Sequence, residues 1–338
     1  MTKKSAFALL ILAPILAIFA AGLRIYYSLN MWQYPGPAIV FEVKPGEGFA
    51  SVNGRLKKQG IIDSAKLFHR YSQVQGLMTK FQAGKFEIKQ GMTMLGVVDT
   101  LVKGTPIQTK VTLPEGKNLF EIGAEFEESG ITKAADFVAA AKDPELMKEL
   151  GIPAERAEGY LYPDTYQFSP NTPAKDVIKA MVAHFRNKTE GLNLTHQDII
   201  LASMIEKETG AAQERPRISG VFHNRLNKRM RLQSDPTTIY GIWERFNGNL
   251  RKADLLELTE YNTYKIPALP KGPICNPGLE AIQAALTPEE HSFLYFVSRN
   301  DGTHVFTKSY KDHLKAVEDF QKNPSARRGK SWRDLQKN

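Results

Sequence analysis

The sequence predicts an α+β protein held by one apolar N-terminal helix. Three features point there: an uncharged run near the start, a strand–helix–helix–strand pattern after it, and a longer mixed region whose most apolar helix ends in two glutamates. At 338 residues, 42% hydrophobic and 24% charged, the chain has an ordinary globular composition and room for two or three cores. Its formal net charge of +9 suits anionic surroundings. No zinc-finger pattern and no run of aromatics interleaved with basic residues accompanies that charge, which argues against nucleic acid as a partner. The single cysteine, Cys275, excludes an intramolecular disulfide framework and a cysteine-rich metal site.

Residues 1–30 read as a short cytoplasmic N-terminus and a transmembrane anchor. Ala6 to Leu23 carry no charge, and at about 1.5 Å per residue they just cross a bilayer core. Lys3, Lys4 and the terminal amine precede this run, and only Arg24 follows it closely. The positive-inside rule then keeps the N-terminus in the cytoplasm and exports the rest. Ala20, Ala21 and Gly22 also suit a signal-peptide cleavage site, but the length of the run and the interfacial aromatics of "RIYYSLNMW" favour an uncleaved anchor. "QYPGPA" makes residues 31–38 a linker.

Residues 39–104 read as a compact unit. The strand "IVFEVKPGEG" leads to a helix, "FASVNGRLKKQG", stopped by Gly60. A second helix, "DSAKLFHRYSQVQG", is capped by Asp63 or Ser64, and the strand "GKFEIKQG" follows. A longer echo links residues 43–62 to 112–131. In both, a Pro- and Gly-containing turn precedes an amphipathic helix that ends at Gly60 or Gly130, then Ile61 or Ile131, with Phe68 and Phe137 in the helices beyond. Two such copies read equally as convergent helix–turn–helix pieces or as a duplicated module.

From 105 to 320 the chain reads as one larger region, with a helical, cleft-forming part over 105–190 and a glutamate-bearing part over 191–320; a basic, Ser/Gly-interrupted tail occupies 321–338. "AEGYLYPDTYQF", residues 157–168, gathers Tyr160, Tyr162 and Tyr166 around a Pro-Asp turn too polar and bent for a core strand, and Tyr240 joins them later. Rings with polar tips suit a sugar-lined cleft, and equally a packed turn between subdomains.

The glutamates lie in "IILASMIEKETG", residues 199–210. Thr195 and Asp198 give this helix a capping-box-like start. At 100° per residue, Glu206 and Glu208 point to opposite sides. Glu206 shares its side with Ala202 and Ser203, whose small size leaves room for a ligand. Glu208 shares its side with Leu201, Met204 and Ile205, like a core-side group paired to a buried arginine or to backbone amides. Partial desolvation beside a half-open groove favours the protonated carboxyl that a general acid needs, so Glu206 reads as an acid or as a structural ion pair. A glycosidase of the usual kind needs a second carboxylate; Glu208 faces away, which leaves Asp164 and Asp235, although Asp-Pro also starts turns. No HExxH, nucleophile elbow, P-loop or dinucleotide turn is present, and His223 reads as a packing or hydrogen-bonding residue. Neither a metal nor a cofactor is expected.

Taken in order, "TLPEGK", "EGYLYPDTY", "LASMIEKETG", "RISGVFHNRL", "MRLQSDPTTIYG", "YNTYKIPALPKGPICNPG" and "LYFVSRNDGTHVFTKSYKDH" resemble the motif series of the YceG-like family, the membrane-anchored endolytic murein transglycosylases. The resemblance runs from the anchor to about residue 320. It implies a LysM-like subdomain at the strand–helix–helix–strand unit. It also implies a mixed α+β catalytic domain with one essential glutamate on a buried helix, assigned to Glu206 as the first of "EKET". One such glutamate would serve as acid and then as base, with the substrate's own C6 hydroxyl replacing water. Candidate substrate-binding residues carried over with the motifs are Tyr160, Tyr162, Gln233, Asp235, Tyr240, Asn262, Tyr264 and Asn276; Asp235 and Asn276 also suit turn formation. Cys275 occupies a slot where the family usually has a small residue, and a buried thiol behaves as one. The implied partners are peptidoglycan glycan strands, the inner membrane through the N-terminal helix, and peptidoglycan synthases. A non-catalytic, anchored peptidoglycan-binding protein is the alternative reading; a cytosolic small-molecule lyase fits poorly with the anchor.

Overall fold

The computed structural model describes residues 3–44, 46–208 and 211–323. The chain folds as two compact units, Met1–Thr109 and Lys110–Asn338. It is a mixed α+β protein.

The first unit starts with α1 (Lys3–Tyr26), extended by a π-helical turn over Tyr27–Met31. The span Leu12–Met31, with a mean hydropathy of 1.6, is the one helix among the described residues long and apolar enough to cross a membrane. Leu12, Ile15, Leu16, Ile18 and Phe19 are exposed along it. Next come β1 (Ile39–Val43), α2 (Phe49–Lys58), α3 (Ala65–Val74), β2 (Gly84–Ile88) and α4 (Met94–Lys103). The two strands pair antiparallel, with Phe41 opposite Phe86. Phe41, Val43, Phe86 and Ile88 are buried at alternate positions, as a half-covered sheet requires, and pack with Val52, Leu56, Phe68, Val97 and Leu101. Each of these large side chains contributes about 1.5–3 kcal/mol by leaving water. Ser64, not Asp63, caps α3: its hydroxyl accepts from the Leu67 N–H. Asp63 is engaged elsewhere, by Arg24 at 2.8 Å and by the Ser28 hydroxyl at 2.8 Å.

The second unit continues with β3 (Thr109–Thr112), α5 (Leu119–Glu128), α6 (Ala134–Ala140), α7 (Pro144–Glu149), β4 (Thr165–Phe168) and α8 (Ala174–Lys188). Then follow α9 (His196–Glu208), α10 (Arg215–Asn227), α11 (Asp235–Gly241), α12 (Lys252–Leu256), α13 (Leu279–Leu286), β5 (Tyr295–Ser298), β6 (His304–Thr307) and α14 (Tyr310–Val317). The strands form two-stranded sheets, β3 with β4 and β5 with β6. The centre is α9, buried at every position from Ile199 to Ile205 because α13 lies along it and α10 and α11 flank it. Its start is fixed as the sequence indicates, with the Thr195 N–H donating to Asp198 and the Asp198 N–H to the Thr195 hydroxyl.

The echo between the two units has a common physical cause. Gly60 and Gly130 both take positive φ, 69° and 68°. In α2 the Ile61 N–H reaches back to the Leu56 carbonyl, and in α5 the Ile131 N–H reaches the Phe126 carbonyl, each at 2.9 Å. Both helices thus end in the same glycine-dependent Schellman cap, with a buried isoleucine sealing it. Residues 157–168 turn out to be a packed turn entering β4, and Tyr160, Tyr162 and Tyr166 are buried there. Of the basic tail expected over 321–338, residues 324–338 lie outside the described residues.

Candidate active site

The groove expected beside Glu206 is filled. Ala202 and Ser203 are fully buried, because the segment before α13 lies directly on them. The Ile274 N–H donates to the Ser203 hydroxyl at 3.0 Å, and the Cys275 thiol to the Ser203 carbonyl at 3.2 Å. The small residues admit this backbone rather than a ligand. Burial pushes the Cys275 thiol well up, which leaves it an inert packing group.

Glu206 is accordingly a closed ion pair. Its side chain is 6% exposed and its Oε1 accepts from Arg215 at 3.0 Å, whose own side chain is 8% exposed. Its Oε2 accepts the Gly278 N–H at 3.0 Å, the first residue before α13. Arg215 also pairs with Glu280 and lies 3.6 Å from Glu115. Burial, with the Glu206 charge second, pushes the Glu115 carboxyl above its usual range. A Cβ at 278 would fall 1.8 Å from a Glu115 oxygen, so a larger residue there would displace the Glu115 carboxylate. Neither Arg215 nor Glu115 stood out in the sequence, although "TLPEGK" contains Glu115.

Glu208, on the other side of α9, is in a different setting. It is partly exposed, and its Oε1 accepts the Ser234 hydroxyl at 2.5 Å. Burial pushes its carboxyl up to about 7; the nearby Asp235 charge adds to the rise, while Ser234 and Arg225 oppose it. Asp235 is exposed, and accepts the Tyr264 hydroxyl at 2.6 Å. Gln233 is exposed beside them, held at a φ of 54° with its N–H on the Thr263 carbonyl. Three of the residues carried over with the motifs, Gln233, Asp235 and Tyr264, therefore gather around Glu208.

The other five serve the framework. Asn262 is fully buried and ties the end of α12 through the carbonyls of Asp254, Leu255 and Glu257. Asn276 accepts the N–H groups of Gly159 and Leu161 and donates to Glu158 and to the Lys117 carbonyl. Tyr240 donates to Glu158 at 2.8 Å, and the Tyr160 hydroxyl meets His196 Nδ1 at 2.8 Å. Tyr162 is buried against His184. Tyr240 also borders a cavity with Phe120, Trp243 and Tyr261. Glu158, also pushed up to about 7 by burial, has both oxygens filled by Leu119, Tyr240 and Asn276, so it is a structural knot. It borders a cavity of about 230 Å³ shared with Arg156, His196, Tyr261 and Lys271, which neither Glu206 nor Glu208 lines. His223 bonds the Ala285 carbonyl, as a packing residue does. Asp164 is occupied by His184 at 2.7 Å.

The YceG-like family model matches residues 41–319, most of the chain. The chain belongs to the YceG-like family. A protein of Bacillus subtilis (strain 168) named endolytic murein transglycosylase is 33% identical over 302 residues, covering 82% of this chain and 83% of that one. Another so named, from Streptococcus pneumoniae, is 28% identical over 315 residues, covering 81% of this chain but 57% of its own length. The crystal structure of a yceG-like protein from Listeria monocytogenes resembles this fold with a TM-score of 0.55 at 30% identity, over 82% of this chain and 99% of that one. A YceG-like chain thus carries two glutamates on one helix, one paired with Arg215 and one bonded by Ser234 near Asp235.

Proposed function

We propose that this protein is a membrane-anchored endolytic lytic transglycosylase of peptidoglycan whose acid and base is a glutamate at the end of α9: Glu206, which the family motif assigns, with Glu208 as a second reading that its own setting favours. The activity is that of its named relatives. The observation that favours the second reading is the setting of Glu208: partly exposed, accepting the Ser234 hydroxyl among the described residues, and raised to about 7. At that value the carboxyl is protonated in a large fraction near neutral pH and still returns readily as a base.

In the first step the glutamate protonates the oxygen between N-acetylmuramic acid and N-acetylglucosamine, and the glycosidic bond breaks. With Glu208 as the acid, the Asp235 carboxylate stabilises the positive charge that develops at the sugar carbon. In the second step the glutamate, now a carboxylate, takes the proton of the muramoyl C6 hydroxyl, whose oxygen closes the 1,6-anhydro ring. The enzyme regains its proton and no water is consumed. The apolar N-terminal helix supports a single-pass anchor in the inner membrane, with Lys3 and Lys4 on the cytoplasmic side and the enzyme outside. Held there, it would trim or terminate nascent strands beside peptidoglycan synthases.

Incubation of the full chain with purified murein, followed by mass spectrometry, tests this reading. Internal 1,6-anhydromuramoyl ends, lost in Glu206→Gln on the first reading and in Glu208→Gln on the second, are expected. Reducing ends with no anhydro product would overturn the lytic mechanism, and binding without any product would favour a non-catalytic peptidoglycan-binding protein.

A further inference from the structure

A second surface of the larger unit is built around Arg156. Three adjoining cavities share this residue. One of about 230 Å³ reaches Lys271 and Pro273, one of about 460 Å³ lies beside Trp243, and one of about 690 Å³ lies beside Lys142 and Lys148. Arg156 and Tyr261 join the first to the second, and Arg156 with Ala154 and Glu155 joins the first to the third. Together they make one trough.

The middle of the trough is aromatic. Phe120 and Trp243 lie nearly parallel, 6.1 Å apart at 15°, and the Tyr240 and Tyr261 rings meet at 4.8 Å. Phe120, Trp243 and Tyr261 are partly exposed, so each keeps some ring surface on the cavity they line. The Trp243 indole N–H and the Tyr261 hydroxyl make no hydrogen bond among the described residues, and neither is a buried orphan. Both polar tips are open to a ligand.

The trough also carries uncompensated positive charge. Arg156, Lys142 and Lys148 form no ion pair among the described residues, and Lys142 rests instead over the Phe120 ring at 5.0 Å. Lys271, by contrast, is paired with Glu155 and Glu260. Burial raises the nearby Glu158 carboxyl to about 7, so near neutral pH it offsets the Arg156 charge only in part. An aromatic floor beside an unpaired arginine suits a ligand that joins a sugar ring to a carboxylate.

Gly116 ties this trough to the end of α9. A Cβ at Gly116 would fall 3.6 Å from the Glu206 Cγ, and the Gly116 carbonyl accepts from Lys207 at 3.1 Å. Phe120 follows four residues later. Even a fully extended chain would then keep Phe120 within about 14 Å of Gly116. A short stretch of glycan covers that distance.

We propose that the Arg156 trough is a subsite for a peptide-bearing N-acetylmuramoyl unit of the glycan strand, with the sugar ring on Trp243 and a carboxylate of the attached peptide on Arg156. The site would thereby tell a peptide-bearing strand from a carboxylate-free glycan. The inference rests on the glycan-cleaving reading above, but not on which glutamate is the acid.

The test measures binding to the full chain in detergent micelles by calorimetry. The probe is N-acetylglucosaminyl-N-acetylmuramoyl tripeptide, and the control is diacetylchitobiose, which has similar rings and no carboxylate. Neither contains the bond that the enzyme would cut, so binding is read apart from turnover. The parent is expected to bind the probe at least about fivefold more tightly than the control, and Arg156→Gln should abolish that difference. Trp243→Ala should weaken both ligands by about fivefold and raise KM on murein, with kcat changed less than about twofold. Arg156 also bonds Tyr240, so the partly exposed Trp243 supplies the variant that leaves the framework alone. Trp243→Phe, which keeps a stacking ring, should bind the probe but lose the change in tryptophan emission that the probe causes in the parent. Equal affinity of the parent for probe and control overturns the subsite. So does parental affinity in both Arg156→Gln and Trp243→Ala, or an emission change that survives in Trp243→Phe. If the parent cuts no murein, the enzymatic reading itself fails, and the binding measurement still decides the subsite.

Discussion

Glu206 and Glu208 differ by two residues and by nearly everything else. Glu206 points into the face where α13 meets α9, and both its oxygens are filled, by Arg215 and by the Gly278 N–H. Glu208 points to the loop before α11, keeps some solvent exposure and, among the described residues, accepts the Ser234 hydroxyl. The same side chain on the same helix is thus ion-paired in one place and hydrogen-bonded by a serine hydroxyl in the other.

The sharpest way to break this contrast is through Arg215. Removing one partner of a buried pair leaves an uncompensated charge, so Arg215→Ala should destabilise the fold by about 3–5 kcal/mol. Thermal or denaturant unfolding checks this, and double substitution with Glu206→Gln should recover part of the loss. A change below about 1 kcal/mol would mean that the pair is not structural.

A smaller effect concerns stability against pH. Because burial raises Glu208 to about 7 from an ordinary 4.5, the folded state binds the proton more tightly than the unfolded chain does. That contribution is complete below about 4.5 and is lost as pH rises through 7. Glu208→Gln should therefore gain stability relative to the parent at pH 8, by on the order of 2 kcal/mol, and gain little at pH 4. Unfolding at the two pH values checks the sign.

The finest test uses the neighbours of Glu208. Asp235 raises its carboxyl and Ser234 lowers it. With Glu208 as the acid, the alkaline limb of murein cleavage should therefore move to lower pH in Asp235→Asn and to higher pH in Ser234→Ala. Pre-steady-state rates across pH 5–9 give both limbs, and shifts of the same sign would contradict that second reading.

The parts of the fold that were legible in the sequence are those governed by nearby residues. The apolar N-terminal helix, the Thr195–Asp198 cap and the glycine-ended helices at 60 and 130 all depend on residues within a few positions. The helical wheel likewise separated the two glutamates correctly. It went wrong on what lies opposite each of them. Ala202 and Ser203 look like room for a ligand until the chain 70 residues later closes over them with Ile274 and Cys275. No periodicity reveals that Gly278 will offer its N–H to Glu206, because a backbone donor has no sequence signature. Nor does a tyrosine-rich turn announce whether its rings face a sugar or, as Tyr160 and Tyr240 do, His196 and a buried glutamate. The motif series supplied Gln233, Asp235 and Tyr264, and only the three-dimensional arrangement showed which glutamate they surround.

The most direct measurement is a side-by-side turnover assay of Glu206→Gln and Glu208→Gln on murein at pH 6, each rate normalised to the folded fraction. Loss of about 10³-fold in Glu206→Gln is expected, with Glu208→Gln within about tenfold of the parent per folded molecule. A folded Glu206→Gln that stays active, beside an inactive Glu208→Gln, would contradict the motif assignment and give the acid to the serine-bonded side of the helix.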